Sequence, residues 1–178
     1  MRQIKFFIAG IVLLFLVFTA FTLFLPSKVT VSKSIEINAP ESTIIAQLNS
    51  FNNWKNWFPA FQDTNVIVTI SSYQNHSAEL RDNSGRIMLF KMLSVAKDTV
   101  NVGLYIKEKS KTAYQFILTS VNTRSTDITW NIITDLGWYP WKKLQGIVLD
   151  KFTGGQYMAT LQKLKNVVEG HVDKGTSE

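Results

Sequence analysis

The sequence contains no cysteine and only two histidines. Without cysteine there can be no disulfide, thiolate nucleophile, Cys-ligated zinc or lipoprotein-type acylation site. His76 lies in the turn-like Asn75-His76-Ser77, and His171 lies in a polar C-terminal stretch. Neither has a second histidine or a carboxylate at ligand spacing, so the sequence predicts no metal site and no cofactor. A phosphate-binding G-x-x-x-x-G-K-[ST] loop, a G-x-G-x-x-G turn and a G-x-S-x-G nucleophile elbow are also missing. No basic run is interleaved with aromatics, so nucleic acid is not an expected partner.

Charge is missing where the chain is most apolar. Phe6–Leu25 carries no charged residue, and 15 of its residues are Leu, Ile, Phe or Val. A helix of about 20 residues rises about 30 Å, the thickness of a bilayer core. This predicts a transmembrane helix, preceded by a short tail with Arg2 and Lys5 and ended by Pro26. The rival reading is a cleaved signal peptide. The apolar run is longer than the usual h-region of about 7–15 residues, and no A-x-A-like site follows it. The short basic tail argues that residues 1–26 enter from the cytoplasm and that the following domain lies outside it, as in a single-pass bacterial inner-membrane protein. Beyond Leu25 the chain has 17 basic against 13 acidic residues, a net of +4 spread as single charges.

The remainder has the length of one domain. Val29, Val31, Ile35 and Ile37 alternate with polar residues, with Lys33 interrupting the apolar face, and predict a strand. Asn38-Ala39-Pro40-Glu41-Ser42 starts a helix ending near Leu48, and a second short helix holds Phe51, Trp54, Trp57 and Phe58 before Pro59. Strand patterns follow at 66–73, 77–82, 86–95, 99–107, 112–121 and 125–133. Asp82-Asn83-Ser84-Gly85 is a hairpin turn between two of them. Trp141–Val168 is helical, with Leu144, Ile147, Val148, Met158, Leu161 and Val168 on one stripe and an interruption or kink at Gly154-Gly155. The tail from 170 to 178 reads as disordered. The order predicts an α+β fold, a curved antiparallel sheet of about seven strands around a long C-terminal helix.

Val31-Ser32-Lys33-Ser34-Ile35-Glu36-Ile37-Asn38-Ala39-Pro40 and Asn53-Trp54-Lys55-Asn56-Trp57-Phe58-Pro59 carry a resemblance, as do Asp127-Ile128-Thr129-Trp130 and the stretch from Gly154-Gly155 to Lys165. Residues 28–169 resemble the START-like, or Bet v 1-like (SRPBCC), helix-grip superfamily, and within it the bacterial polyketide cyclase/dehydrase and lipid-transport group. The resemblance implies a cavity between sheet and helix. It does not imply one function, because the superfamily holds lipid carriers, cyclases and domains without a known ligand.

The aromatics carry the functional expectation. In the resembled fold, Trp54–Phe61 and Trp138–Trp141 both border the cavity mouth. On the sheet, Met88/Phe90/Met92 and Tyr114/Phe116 are the faces expected inward, since they hold the larger side chains. The expected ligand-binding wall is Trp57, Phe58, Phe61, Phe90, Phe116, Trp138 and Tyr139, holding a hydrophobic small molecule or lipid. Trp57 and Trp130 also fit a purely structural role in the core. No catalytic residue is assigned. Glu79, Asp127 and Asp135 are the carboxylates that a cyclase-type enzyme would draw on, and they do not pair. An interaction module with a self-filled cavity is the further alternative.

Overall fold

The computed structural model describes residues 2–71, 76–106, 110–137 and 139–175. Helix α1 (Arg2–Leu23) contains most of the uncharged run. Its Gln3–Phe21 span is long and apolar enough to cross a membrane, and none of it is buried against the domain. Anchors and signal sequences share these properties.

The domain begins directly with β1 (Lys28–Ile37), where Val31 and Ile37 are buried and Ser32 and Ser34 face out. Short helices α2 (Glu41–Leu48), α3 (Phe51–Trp54) and α4 (Pro59–Gln62) follow. Pro59 therefore starts a helical turn rather than only ending one, its fixed φ suiting the first helical position. Six strands come next: β2 (Val66–Ile70), β3 (Ser77–Asp82), β4 (Ile87–Val95), β5 (Thr99–Ile106), β6 (Ser110–Asn122) and β7 (Ser125–Asp135). They form one antiparallel sheet in the order β1-β7-β6-β5-β4-β3-β2. The predicted ends of β2 and β5 at 72–73 and 107 lie outside the described residues.

The turn at Asp82–Gly85 is built as its residues demand. Gly85 takes φ +75°, and Asp82 Oδ1 accepts from the backbone N–H of Ser84 and Arg86, both at 2.9 Å. With the Ser84 hydroxyl as the largest cause, these bonds hold the Asp82 carboxyl below its ordinary pKa. Register breaks at Met92/Ser94 in β4 and Ser120/Asn122 in β6 bend the strands and increase their twist. The inward parity is the expected one: Phe90, Tyr114, Phe116 and Leu118 are buried, while Leu93 and Val121 are exposed.

Helix α5 (Pro140–Gly175) lies across the sheet as one continuous element. The helix runs without interruption through Gly154-Gly155 and on past Gly170 to Gly175. The single apolar stripe also splits. Leu161, Leu164 and Val168 are buried, but Val148 and Met158 are exposed. In the first half, the buried positions include Lys143, Gly146 and Gly154. At the two glycines the helix lies close to side chains of β1 and its neighbours. A Cβ on Gly146 would come within 2.8 Å of Val29 Cγ2, and one on Gly154 within 2.9 Å of Lys33 Cε. Lys33, the polar interruption of β1, reaches past Gly154 to Asp150 at 2.8 Å. At the far end of α5, Asn38 donates its backbone N–H and its side-chain amide to Glu169 at 2.8 and 3.0 Å.

Gly155 differs from Gly154 because a Cβ there meets nothing within 4 Å. Gly155→Ala should therefore raise the stability of the domain by about 0.5–1 kcal/mol through helix propensity alone. Gly154→Ala should lose that gain by displacing the Lys33–Asp150 pair. Thermal melts of the two variants side by side check this.

Candidate functional site

The aromatic residues of α3, α4 and the segment between them fold inward because both helices are amphipathic over a single turn. Trp54 sits at the centre of the cluster. Its ring lies 4.9–6.1 Å from those of Phe51, Trp57, Phe58, Phe61, Phe90 and Phe116, and its indole N–H donates to the Leu48 carbonyl at 2.9 Å. Such edge and tilted contacts add to simple area burial. The cluster fills most of the space under the curved sheet.

A cleft of about 430 Å³ lies open beside the C-terminal half of α5. Phe58, Pro59 and Ala60 form one wall, and Tyr157, Ala159 and Thr160 the opposite one. Tyr114 and Trp130 form the sheet side. Tyr157 packs edge-on against Trp130 at 5.2 Å, and Tyr114 does so from the other direction, also at 5.2 Å. Gln156 and Lys163 are the remaining polar lining. Lys163 Nζ donates to Gln62 Oε1 at 3.0 Å, linking α5 to α4. The interior is therefore aromatic, with a single cation on its lining.

Burial raises the Tyr114 hydroxyl well above its ordinary pKa, with Tyr157 adding to the shift. Tyr157 is also raised by burial, and the Thr153 hydroxyl opposes this. Both phenols therefore remain hydrogen-bond donors at any physiological pH. An unfolded tyrosine ionises near pH 10 while the folded one stays protonated, so stability is complete below about pH 10 and is lost as pH rises above it. Unfolding free energies from urea titrations at pH 8 to 12 should fall above about pH 10 with a slope approaching about 1.4 kcal/mol per pH unit for Tyr114. Tyr114→Phe should remove most of that slope.

The structure brings only part of the predicted wall to the cleft. Phe58 lines it, whereas Trp57, Phe61, Phe90 and Phe116 pack behind it as core. Trp138 lies outside the described residues. Tyr139 is 39% exposed and stands at the other end of α5, beside Trp141 at 5.3 Å. Trp141 and the cleft residue Tyr157 are 16 positions apart on α5, about 24 Å along its axis. The described members of the second cluster, Tyr139 and Trp141, therefore lie away from the cleft. Glu79 pairs with Arg81, Asp127 and Asp135 are exposed, and none of the three lines the cleft. Among the described residues no group of three or more His, Asp or Glu is placed to hold a metal.

No protein-family model and no curated protein sequence matches the chain. Solved structures do. A START superfamily protein from Mycobacterium smegmatis superposes with a TM-score of 0.60 at 17% identity, covering 80% of this chain and 98% of that one. Norcoclaurine synthase from Thalictrum flavum, solved with a transition-state analogue, gives 0.60 at 13% identity, covering 81% and 96%. XoxI from Bacillus cereus gives 0.57 at 12% identity, covering 79% and 95%.

The chain has the START/Bet v 1-like helix-grip fold. Identity this low establishes the fold alone. An enzyme stands among the helix-grip neighbours, so the architecture permits catalysis elsewhere without assigning it here. The cleft lies where a helix-grip fold leaves space, between the sheet and its straight helix. Sequence reasoning missed Gln156, Tyr157, Ala159, Thr160 and Lys163. Their signal was a mixed polar and aromatic face directly after the glycine pair.

Proposed function

We propose that the chain is a membrane-anchored START-like domain that holds a hydrophobic small molecule or lipid in the Phe58–Tyr114–Trp130–Tyr157 cleft, without catalysis. The observation that carries this reading is an open, aromatic-walled cleft of about 430 Å³ between the sheet and α5. That volume falls within the range of about 300–1,000 Å³ typical of small-molecule sites. Lys163 suits an acidic end group on an otherwise apolar ligand. The raised phenols supply donors but no base near neutral pH, which supports binding over acid–base chemistry. The anchor reading rests on the exposed α1 followed at once by β1. With the N-terminus in the cytoplasm, the domain stands outside it, and tethering keeps its concentration near lipid high. The packing of Trp57, Phe61, Phe90 and Phe116 favours one second reading, an interaction module whose cavity is filled by its own side chains.

A saturable change in Trp emission on adding a fluorescent fatty acid to the detergent-solubilised full chain is the expected result. Ala159→Trp should abolish it by filling the cleft from an exposed helix position, with the melting temperature unchanged. Lys163→Ala should weaken the acid, but not the corresponding alcohol, by about 1 kcal/mol or more. If the parent chain binds neither ligand, or if Ala159→Trp binds as well as the parent, the cleft is not the site.

A further inference from the structure

The outer face of a helix laid across a sheet is normally polar. The first half of α5 is not. Trp141, Val148 and Phe152 are 55%, 40% and 77% exposed. At 100° per residue they fall within about 40° of one another, on the side opposite the buried Gly146. They form a stripe about 16 Å long. Tyr139 extends it at the N-terminal end, its ring tilted against that of Trp141 at 5.3 Å.

The position of this stripe is fixed relative to α1. Lys143 Nζ donates to the carbonyl of Leu25 at 2.9 Å, and Leu136 N–H donates to the carbonyl of Ser27 at 2.8 Å. The start of α5 is thus held at the point where the chain leaves the apolar helix, with only a few residues between Leu23 and Lys28. Charge matches as well. Residues 140–152 expose Lys142 and Lys151 against one acid, Asp150, which is neutralised by Lys33. Lys142 also lies over the Tyr139 ring at 5.3 Å. Aromatic rings flanked by lysines next to a membrane helix are the composition of a membrane–water interface.

We infer that the first half of α5 lies on the bilayer surface, with Trp141, Val148 and Phe152 dipped into the headgroup region of an anionic leaflet. This rests on the reading of α1 as an anchor. Docking would add a second attachment to the tether and fix which way the domain faces the membrane. The partner of this face is lipid, and the experiment below distinguishes it from a second copy of the chain.

The absence of cysteine makes the test direct. Full-length chain is reconstituted in vesicles of phosphatidylcholine with roughly a third phosphatidylglycerol, carrying an environment-sensitive label at one introduced cysteine. Leu14→Cys reports α1, Val148→Cys and Phe152→Cys report the stripe, and Asn83→Cys reports the distant β3–β4 turn. The expected result is blue-shifted emission at 14, 148 and 152 that nitroxide lipids quench, with 83 remaining water-like. Lys142→Ala with Lys151→Ala should lower the quenched fraction at 152 severalfold and leave 14 unchanged. Lipid quenching at 14 with 148 and 152 in water overturns the docking and leaves the anchor standing. Shielding at 148 and 152 without lipid quenching overturns it in favour of self-association. A water-like label at 14 overturns the anchor and the docking with it.

Discussion

Trp54→Ala should cost the domain about 3–5 kcal/mol, the upper range for a single core truncation. The side chain is fully buried, and its removal withdraws ring contacts from six neighbours at once. Those neighbours come from three separate places: the helical segment 51–61, β4 and β6. They are held by independent backbone elements, so they cannot collapse together into the void. The loss also leaves the Leu48 carbonyl without the indole donor that satisfies it, and a buried orphan acceptor costs about 1–3 kcal/mol. Trp57 offers the comparison. It is equally buried, but among the described residues its indole N–H has no hydrogen-bond partner. Trp54→Phe should therefore be costlier than Trp57→Phe by about one buried hydrogen bond, about 1 kcal/mol. Urea titration of the three variants checks the order. Equal losses for the two Phe variants would show that the Leu48 bond contributes nothing.

The strands were legible because alternation, β-branching and turn chemistry agreed locally. Ser77–Asp82 and its hairpin turn have the predicted limits because Asp82 and Gly85 each have one conformational task. Inward parity was ambiguous by hydrophobicity, since Ile87, Leu89 and Leu93 are as apolar as Met88, Phe90 and Met92. Side-chain size decided it, because a curved sheet has more volume to fill on its concave side. Helix α5 was less legible. Period-3.6 reasoning assumes that the apolar face is the buried face, and in the first half of this helix the two are opposed. Gly146 and Gly154 lie inside, close to side chains of β1 and its neighbours, which leaves Trp141, Val148 and Phe152 outside. The Gly154-Gly155 pair looked like an interruption or kink by propensity, yet tertiary packing outweighs about 1 kcal/mol per glycine. The two aromatic clusters were hard to separate for a related reason. Two aromatic clusters near the ends of helices look alike in sequence, and only the length of α5 shows that one belongs to the cleft and the other to the end of α1.

A chain ending at Ala159 should retain α1 and lose the folded domain. The last part of α5 supplies Leu161, Leu164 and Val168, each fully buried. At about 1.5–3 kcal/mol per side chain, their loss together approaches the total stability of about 5–15 kcal/mol of an ordinary domain. The same cut removes the grip at the edge strand. Asn38 loses its acceptor Glu169, and the Glu36 carbonyl loses Lys165 Nζ at 2.9 Å. It also uncovers Ile37 and Ile44, which are fully buried in the intact chain. Near-UV circular dichroism in detergent should collapse for this truncation, while far-UV helicity from α1 and membrane fractionation persist. A chain ending at Gly170 keeps all three buried residues and both clamps, and should melt within a few degrees of the full chain. A cooperative melt of the Ala159 truncation near that of the full chain would mean that the sheet and α2–α4 form a core without their closing helix, contrary to a helix-grip fold in which sheet and helix bury each other.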